Sequence, residues 1–122
     1  MVMVYAFTIF LASSVPAPAP QMQFLVSDKL QHMAAFGLMA VFVAMAVQRP
    51  GKPLTWRRAI AAIAVTAAYG ALDELHQTTV AGRFGTTSDA LADLTGAVLA
   101  VGWYYLISRK TIVLSYVMGA GE

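Results

Sequence analysis

The chain has 122 residues, of which 59% are apolar and 11% charged, with a formal net charge of +2 and no cysteine. Soluble domains carry about 25% charge; so apolar a chain is not disordered, and a single domain of this length cannot bury so much apolar side chain, so the excess has to face lipid. The missing cysteines exclude disulfides, thiolate nucleophiles and cysteine-ligated metals, and with no basic run longer than Arg57-Arg58 nothing points to nucleic acid.

The first apolar stretch, residues 1–15, is followed by Pro16, Pro18 and Pro20. Its small-residue end is similar to a signal-peptide cleavage region, yet a basic n-region is missing, and we read it as a short retained span. Prolines lack the amide proton and fix φ, so residues 14–21 are expected to be an extended connection. Three further segments follow, 29–49, 58–77 and 89–109, each bracketed by polar residues 19 or 20 positions apart. About 20 helical residues cross a hydrocarbon core of about 30 Å, so each fits one bilayer. Arg49-Pro-Gly-Lys-Pro53 is a turn, and residues 110–122 form a short tail. The expected architecture is a single all-α domain over residues 1–122, an integral membrane four-helix bundle with short loops.

Cytoplasmic loops are enriched in Lys and Arg. Arg49, Lys52, Arg57 and Arg58 precede the third span and Arg109-Lys110 follows the fourth, which puts both chain ends inside and predicts a multi-pass protein of the bacterial inner (cytoplasmic) membrane. Six of the eight basic residues then lie on the inner side, and five of the six acids lie toward the outer one, with His32 and His76. Trp103, Tyr104 and Tyr105 read as an interfacial anchor near the inner surface. Ala92, Gly96 and Ala100 recur every fourth residue, and the third span is rich in small residues, Gly70 among them. Lipid offers helices no hydrophobic reason to associate, so small-residue stripes supply close packing, and spans three and four are expected to touch closely.

An ionised group in hydrocarbon costs at least about 2.5 kcal/mol, so the outer ionisable residues need one another. Positions four apart share a helix face: Asp28 with His32, Asp73 with Gln77, Asp89 with Asp93 and near Gly96. Ser88 is the expected N-cap of span four, where the positive end of the helix dipole favours Asp89 and Asp93. Asp73 and Glu74 lie at the negative end of span three and require a cation, from Lys29, Arg83 or a protonated histidine. The resulting polar network is Asp28, Lys29, His32, Asp73, Glu74, Gln77, Arg83, Asp89 and Asp93. It serves equally as a ligand site or as a set of mutual counter-ions fixing helix register. His76 by itself reads as a solvated, loop-side histidine.

No HExxH or other chelating spacing appears, and Glu74 and His76, two apart, point to different faces, so no metal and no cofactor is expected. Thr87 and Ser88 near Asp89 are not set in a G-x-S-x-G elbow. No residue pattern selects a reaction, and a lipid-modifying enzyme is the weakest reading.

The segments Ser27-Asp-Lys-Leu-Gln-His32, Asp73-Glu-Leu-His-Gln77, Ala81-Gly-Arg83, Ser88-Asp89 and Asp93-Leu-Thr-Gly96 together resemble the VanZ-like family, small four-span membrane proteins named for a protein that raises tolerance to teicoplanin. The family pattern is D-K-x-x-H in the second span, E-x-x-Q ending the third, a G-R loop, then S-D and N-x-x-G in the fourth. The resemblance implies that Asp28, Lys29, His32, Glu74, Gln77, Arg83, Asp89 and Gly96 occupy the family positions. Asp93 departs from it, standing where the family usually has asparagine and adding an anion.

Two functions follow as expectations. In the first, the outer polar site binds membrane lipids, a cell-wall intermediate or a glycopeptide antibiotic, with Arg83 and Lys29 gripping phosphate or carboxylate. In the second, the chain is a small accessory subunit of a larger membrane protein complex, and the polar cluster is an internal clasp.

Overall fold

The structure, a computed structural model, describes residues 1–16 and 28–119, with side chains up to residue 110. The described residues form four helices and no strand: α1 (Val2–Ser13), α2 (Asp28–Val47), α3 (Trp56–Gln77) and α4 (Thr87–Gly119). The extended connection expected over residues 14–21 lies outside the described residues from 17 onward. Its first residue, Ser14, still closes α1 in the αR conformation, with its amide donating to Phe10 O at 3.0 Å.

The turn at Arg49-Pro-Gly-Lys-Pro53 forms as expected, with the Lys52 amide donating to Arg49 O and Gly51 at φ +66, a conformation that costs glycine nothing. The fourth helix corrects the expected boundary at residue 109. It runs on to Gly119 as one helix of 33 residues, about 50 Å long, because Arg109-Lys110 marks a change of polarity and not a break; both residues are good helix formers. Arg109 folds back along it, donating to Tyr105 Oη at 2.6 Å.

Among the described residues, α2 and the part of α4 from Thr87 to Lys110 are long and apolar enough to cross a membrane, at 20 and 24 residues. The 22 residues of α3 carry Arg57 and Arg58 at one end and Asp73, Glu74 and His76 at the other, which shortens its apolar stretch. The 12 residues of α1 reach about 18 Å, less than a hydrocarbon core.

Successive helices run in opposite directions. On α2 and α4, Lys29 meets Asp89, His32 meets Asp93 and Gly37 meets Ala100, so these two are parallel. On α1 and α3, Ala6 meets Tyr69 and Ser14 meets His76, so these are parallel in turn and opposed to the first pair. Helix α2 is central, packing on α4, α3 and α1, whereas α1, among the described helices, packs on α2 and α3. The buried core joins Phe36, Met39, Ala40, Val43 and Ala44 of α2 to Ala59 and Ala62 of α3 and Ala97 and Val101 of α4. Large apolar side chains such as Leu38, Ile60, Val65, Leu72, Leu91 and Leu99 stay exposed on the outside of the bundle.

Spans three and four pack together as expected, but the small-residue stripe of α4 also brings α2 close. A Cβ on Gly96 would collide with the Met33 carbonyl of α2, and one on Gly37 would stand 3.1 Å from Gly96 O and 3.4 Å from Ala100 Cβ. Gly96 and Ala100 therefore seat α2. Helix α3 uses Gly70, against the Asp93 side chain of α4 and Phe36 of α2.

Candidate functional site

The alternating directions gather Asp28, Lys29, His32, Asp73, Glu74, Gln77, Asp89 and Asp93 at one end of the bundle. The basic turn after α2 and the Arg109-Lys110 pair lie at the other end, where Leu54 N donates to Ser108 Oγ and Tyr104 Oη to Gln48 Oε1. The order of residues on α2 and α4 explains the first set. Lys29 and His32 stand about one turn apart on α2, as do Asp89 and Asp93 on α4, so parallel packing pairs them in sequence.

The centre of the cluster is His32, whose Nδ1 lies 2.9 Å from Asp93 Oδ1 and 3.6 Å from Glu74 Oε1. Three helices thus meet at one imidazole, and all three residues are largely withdrawn from the surface. The His32 ring runs parallel to Phe36, with centroids 6.3 Å apart. Glu74 is fixed from its other side, its Oε2 accepting the Thr86 amide at 2.8 Å. The loop reaches that position because Gly85 packs against the Glu74 backbone, where a Cβ would collide with the Glu74 carbonyl. Lys29 forms its ion pair with Asp89, the acid buried and the amine about half exposed.

Asp73 belongs to a second group. Its Oδ2 accepts from Ser13 Oγ at 2.7 Å and from Gln77 Nε2 at 2.9 Å, while Gln77 Nε2 also lies 3.5 Å from Glu74 Oε1. Asp73 Oδ1 and Asp93 Oδ2 are both buried and have no hydrogen-bond partner among the described residues. A cavity of about 160 Å³ opens beside this group, lined by Asp28, Gln31, His32, Asp73 and Gln77, by Ser13 of α1 and by Arg83.

Three expectations need correction. Arg83 does not meet the acids: its Nε donates to Val15 O at 2.7 Å and its Nη2 to Ala12 O at 3.1 Å, so it ties down the C-terminal end of α1 and the residues just after it. Ser88 is not the N-cap of α4. Thr86 is, accepting the Asp89 amide on Oγ1 at 3.1 Å and donating to Asp89 Oδ2 at 2.7 Å, a side-chain cap in T-x-x-D spacing, while its own amide goes to Glu74. His76 is not a free loop histidine; it lies in the last turn of α3, half-buried, with Nε2 3.0 Å from Ser14 Oγ and its ring stacked 4.6 Å from that of Phe10. Ser13, Ser14, Thr86 and Gly85 were not anticipated as part of this end. Asp28 lines the cavity but stays exposed, and Ser27 lies outside the described residues.

A family model described as VanZ/LLP1 matches residues 1–108, a range that includes every residue of the cluster. No curated protein and no solved structure matches the chain.

Proposed function

Because the chain belongs to the VanZ/LLP1 family and its polar residues wall a cavity, we propose that it is a four-span bacterial inner-membrane protein, with both ends inside, that binds the head of an envelope amphiphile. Two helices long enough to cross and the separation of basic from acidic ends support this placement. Helix α1, short for a span, is accommodated by local thinning of the bilayer around it.

The observation that carries the reading is the Asp73 carboxylate, which lines the cavity and whose Oδ1 is buried with no partner among the described residues. A carboxylate oxygen left without a donor is costly to bury and is best satisfied by an incoming one. Both nearby cations are already engaged, Lys29 on Asp89 and Arg83 on α1 carbonyls, so the cavity suits an ammonium group better than the phosphate or carboxylate expected from charge alone. Its volume of about 160 Å³ is below the about 300 Å³ of a small drug-sized pocket. It holds a headgroup amine and not a whole glycopeptide, leaving the rest of an amphiphile in the lipid.

An amine at this depth comes from an aminophospholipid or from a lipid-linked cell-wall intermediate. The protein, purified in mild detergent and offered phosphatidylethanolamine, phosphatidylglycerol or an amine-bearing wall intermediate, separates the sources by native mass spectrometry. Retention of one amine-bearing lipid, lost in Asp73→Asn, is the expected result. Equal retention of phosphatidylglycerol, or an unchanged Asp73→Asn, overturns the reading.

A further inference from the structure

We propose that His32, Glu74 and Asp93 form a binding site for one divalent transition-metal ion of the zinc type. The site shares His32 with the wall of the amine cavity but takes its two carboxylates from Glu74 and Asp93, which do not line it, and its test needs no lipid ligand.

The donor atoms are one imidazole nitrogen and two carboxylate oxygens from three different helices, all within 4.8 Å of one another. An ion about 2.0–2.2 Å from each donor sets neighbouring donors about 3–3.5 Å apart, and the separations here are 2.9 Å and 3.6 Å. The set mixes His with Asp/Glu and contains no sulfur, which suits zinc and its harder neighbours such as manganese. Three protein ligands leave a coordination position open, as in exchangeable rather than closed sites.

Charge favours the ion independently of geometry. Glu74 and Asp93 are both buried, and the nearby lysine and arginine are engaged elsewhere. A protonated His32 supplies one positive charge to these carboxylates, whereas a divalent ion on neutral His32 supplies two. Asp93 is 1% exposed and its Oδ2 has no partner among the described residues, so this carboxylate is held at the cluster only half satisfied. The donors are also held from outside the site, as metal ligands commonly are: Thr86 N–H holds Glu74 Oε2, the oxygen turned away from His32, and Phe36 flanks the His32 ring.

A second grouping, Asp28, His32 and Asp89, shares the histidine. It is the poorer one, since Asp28 is exposed and Asp89 already bonds Lys29 and Thr86. Linear spacing gave no sign of the first grouping, because no two of His32, Glu74 and Asp93 lie on one helix.

The full chain in nanodiscs, stripped with a chelator and titrated with Zn²⁺ or Mn²⁺, tests the site by elemental analysis and by the shift of its unfolding temperature. One ion per chain is expected, with a metal-dependent rise in unfolding temperature. His32→Gln and Asp93→Asn are expected to weaken binding at least about tenfold, while Asp28→Asn and His76→Gln bind as the parent does. Glu74→Gln, which keeps its size and its acceptor for Thr86, provides a second variant should Asp93→Asn not fold, and is expected to lose the ion as well. Absence of a stoichiometric ion at micromolar metal, or unchanged binding in His32→Gln and Glu74→Gln, overturns the proposal. So does loss of binding in His76→Gln, which assigns the ion to the outer histidine.

Discussion

The Asp93 carboxylate of α4 rests on the bare backbone of Gly70 of α3: a Cβ on that glycine would stand 2.9 Å from Oδ2 and 3.2 Å from Asp93 Cβ. Alanine in a helix gains about 1 kcal/mol over glycine, and overpacking a fitted interface costs about 1–3 kcal/mol. Asp93 is buried and Phe36 Cε1 closes the other side at 3.3 Å, so crowding wins. Gly70→Ala is expected to lower stability by about 1 kcal/mol, read by unfolding in micelles, and to displace Asp93 from His32. A more stable Gly70→Ala contradicts this packing.

Gly96 and Gly102 lie on the same helix and respond oppositely. At Gly96 a methyl group meets the Met33 backbone of α2, which cannot rotate away as a side chain does, so Gly96→Ala is expected to cost about 3 kcal/mol or more by forcing α2 from α4. At Gly102 nothing stands within 4 Å, and Gly102→Ala is expected to stabilise by up to about 1 kcal/mol. Unfolding of the two variants side by side checks the pair.

Lys29 is 47% exposed and Asp89 only 6%. Removing an exposed pair changes stability by about 1 kcal/mol or less, while stranding a buried charge costs about 3–5 kcal/mol. Lys29→Met is expected between these limits, near about 2 kcal/mol. In the double variant Lys29→Met/Asp89→Asn most of that loss returns, because no anion is left unpaired, and a double-mutant cycle measures the coupling. Additive losses contradict a direct pair.

Thr86 and Ser88 distinguish the observed cap from the expected one. Thr86→Ala loses both side-chain bonds to Asp89 and is expected to cost about 1 kcal/mol, while its backbone amide still reaches Glu74. Ser88, exposed and bonded only to Thr86 Oγ1 among the described residues, is expected to change by less than about 0.5 kcal/mol when replaced by alanine. Equal losses would return the cap to Ser88.

Arg83 spans two carbonyls at the end of α1, and a single ammonium cannot reproduce that fork. Arg83→Lys, though it preserves the charge, is expected to loosen α1 and speed proteolysis near residue 15 almost as much as Arg83→Gln does. Full protection in Arg83→Lys favours a role as a bare charge.

Much of this architecture was legible before any coordinates. Helix number, the turn at Gly51, the gathering of acids and histidines at one end and the i, i+4 pairing of Asp73 with Gln77 follow from local rules of periodicity, charge and turn chemistry. The cap at Thr86 is equally local, but Ser88, nearer the acid, satisfies the same rule. The length of α4 is not legible in this way, because a pair of charges marks a change of environment without ending a helix.

What local sequence determined, then, is which residues sit on which helix face and at which end. Only the tertiary structure decided who meets whom. The 28–32, 70–77 and 89–96 segments each offer an acid or a base about every turn, and several pairings satisfy charge equally well. Depth, rotation and the contacts allowed by Gly37, Gly70 and Gly96 select among them, giving Lys29 to Asp89, His32 to Asp93 and Glu74, and Arg83 to α1. Steric fit acts over tenths of an ångström whereas charge attraction extends over many, so the glycines settle what the ionic groups leave open.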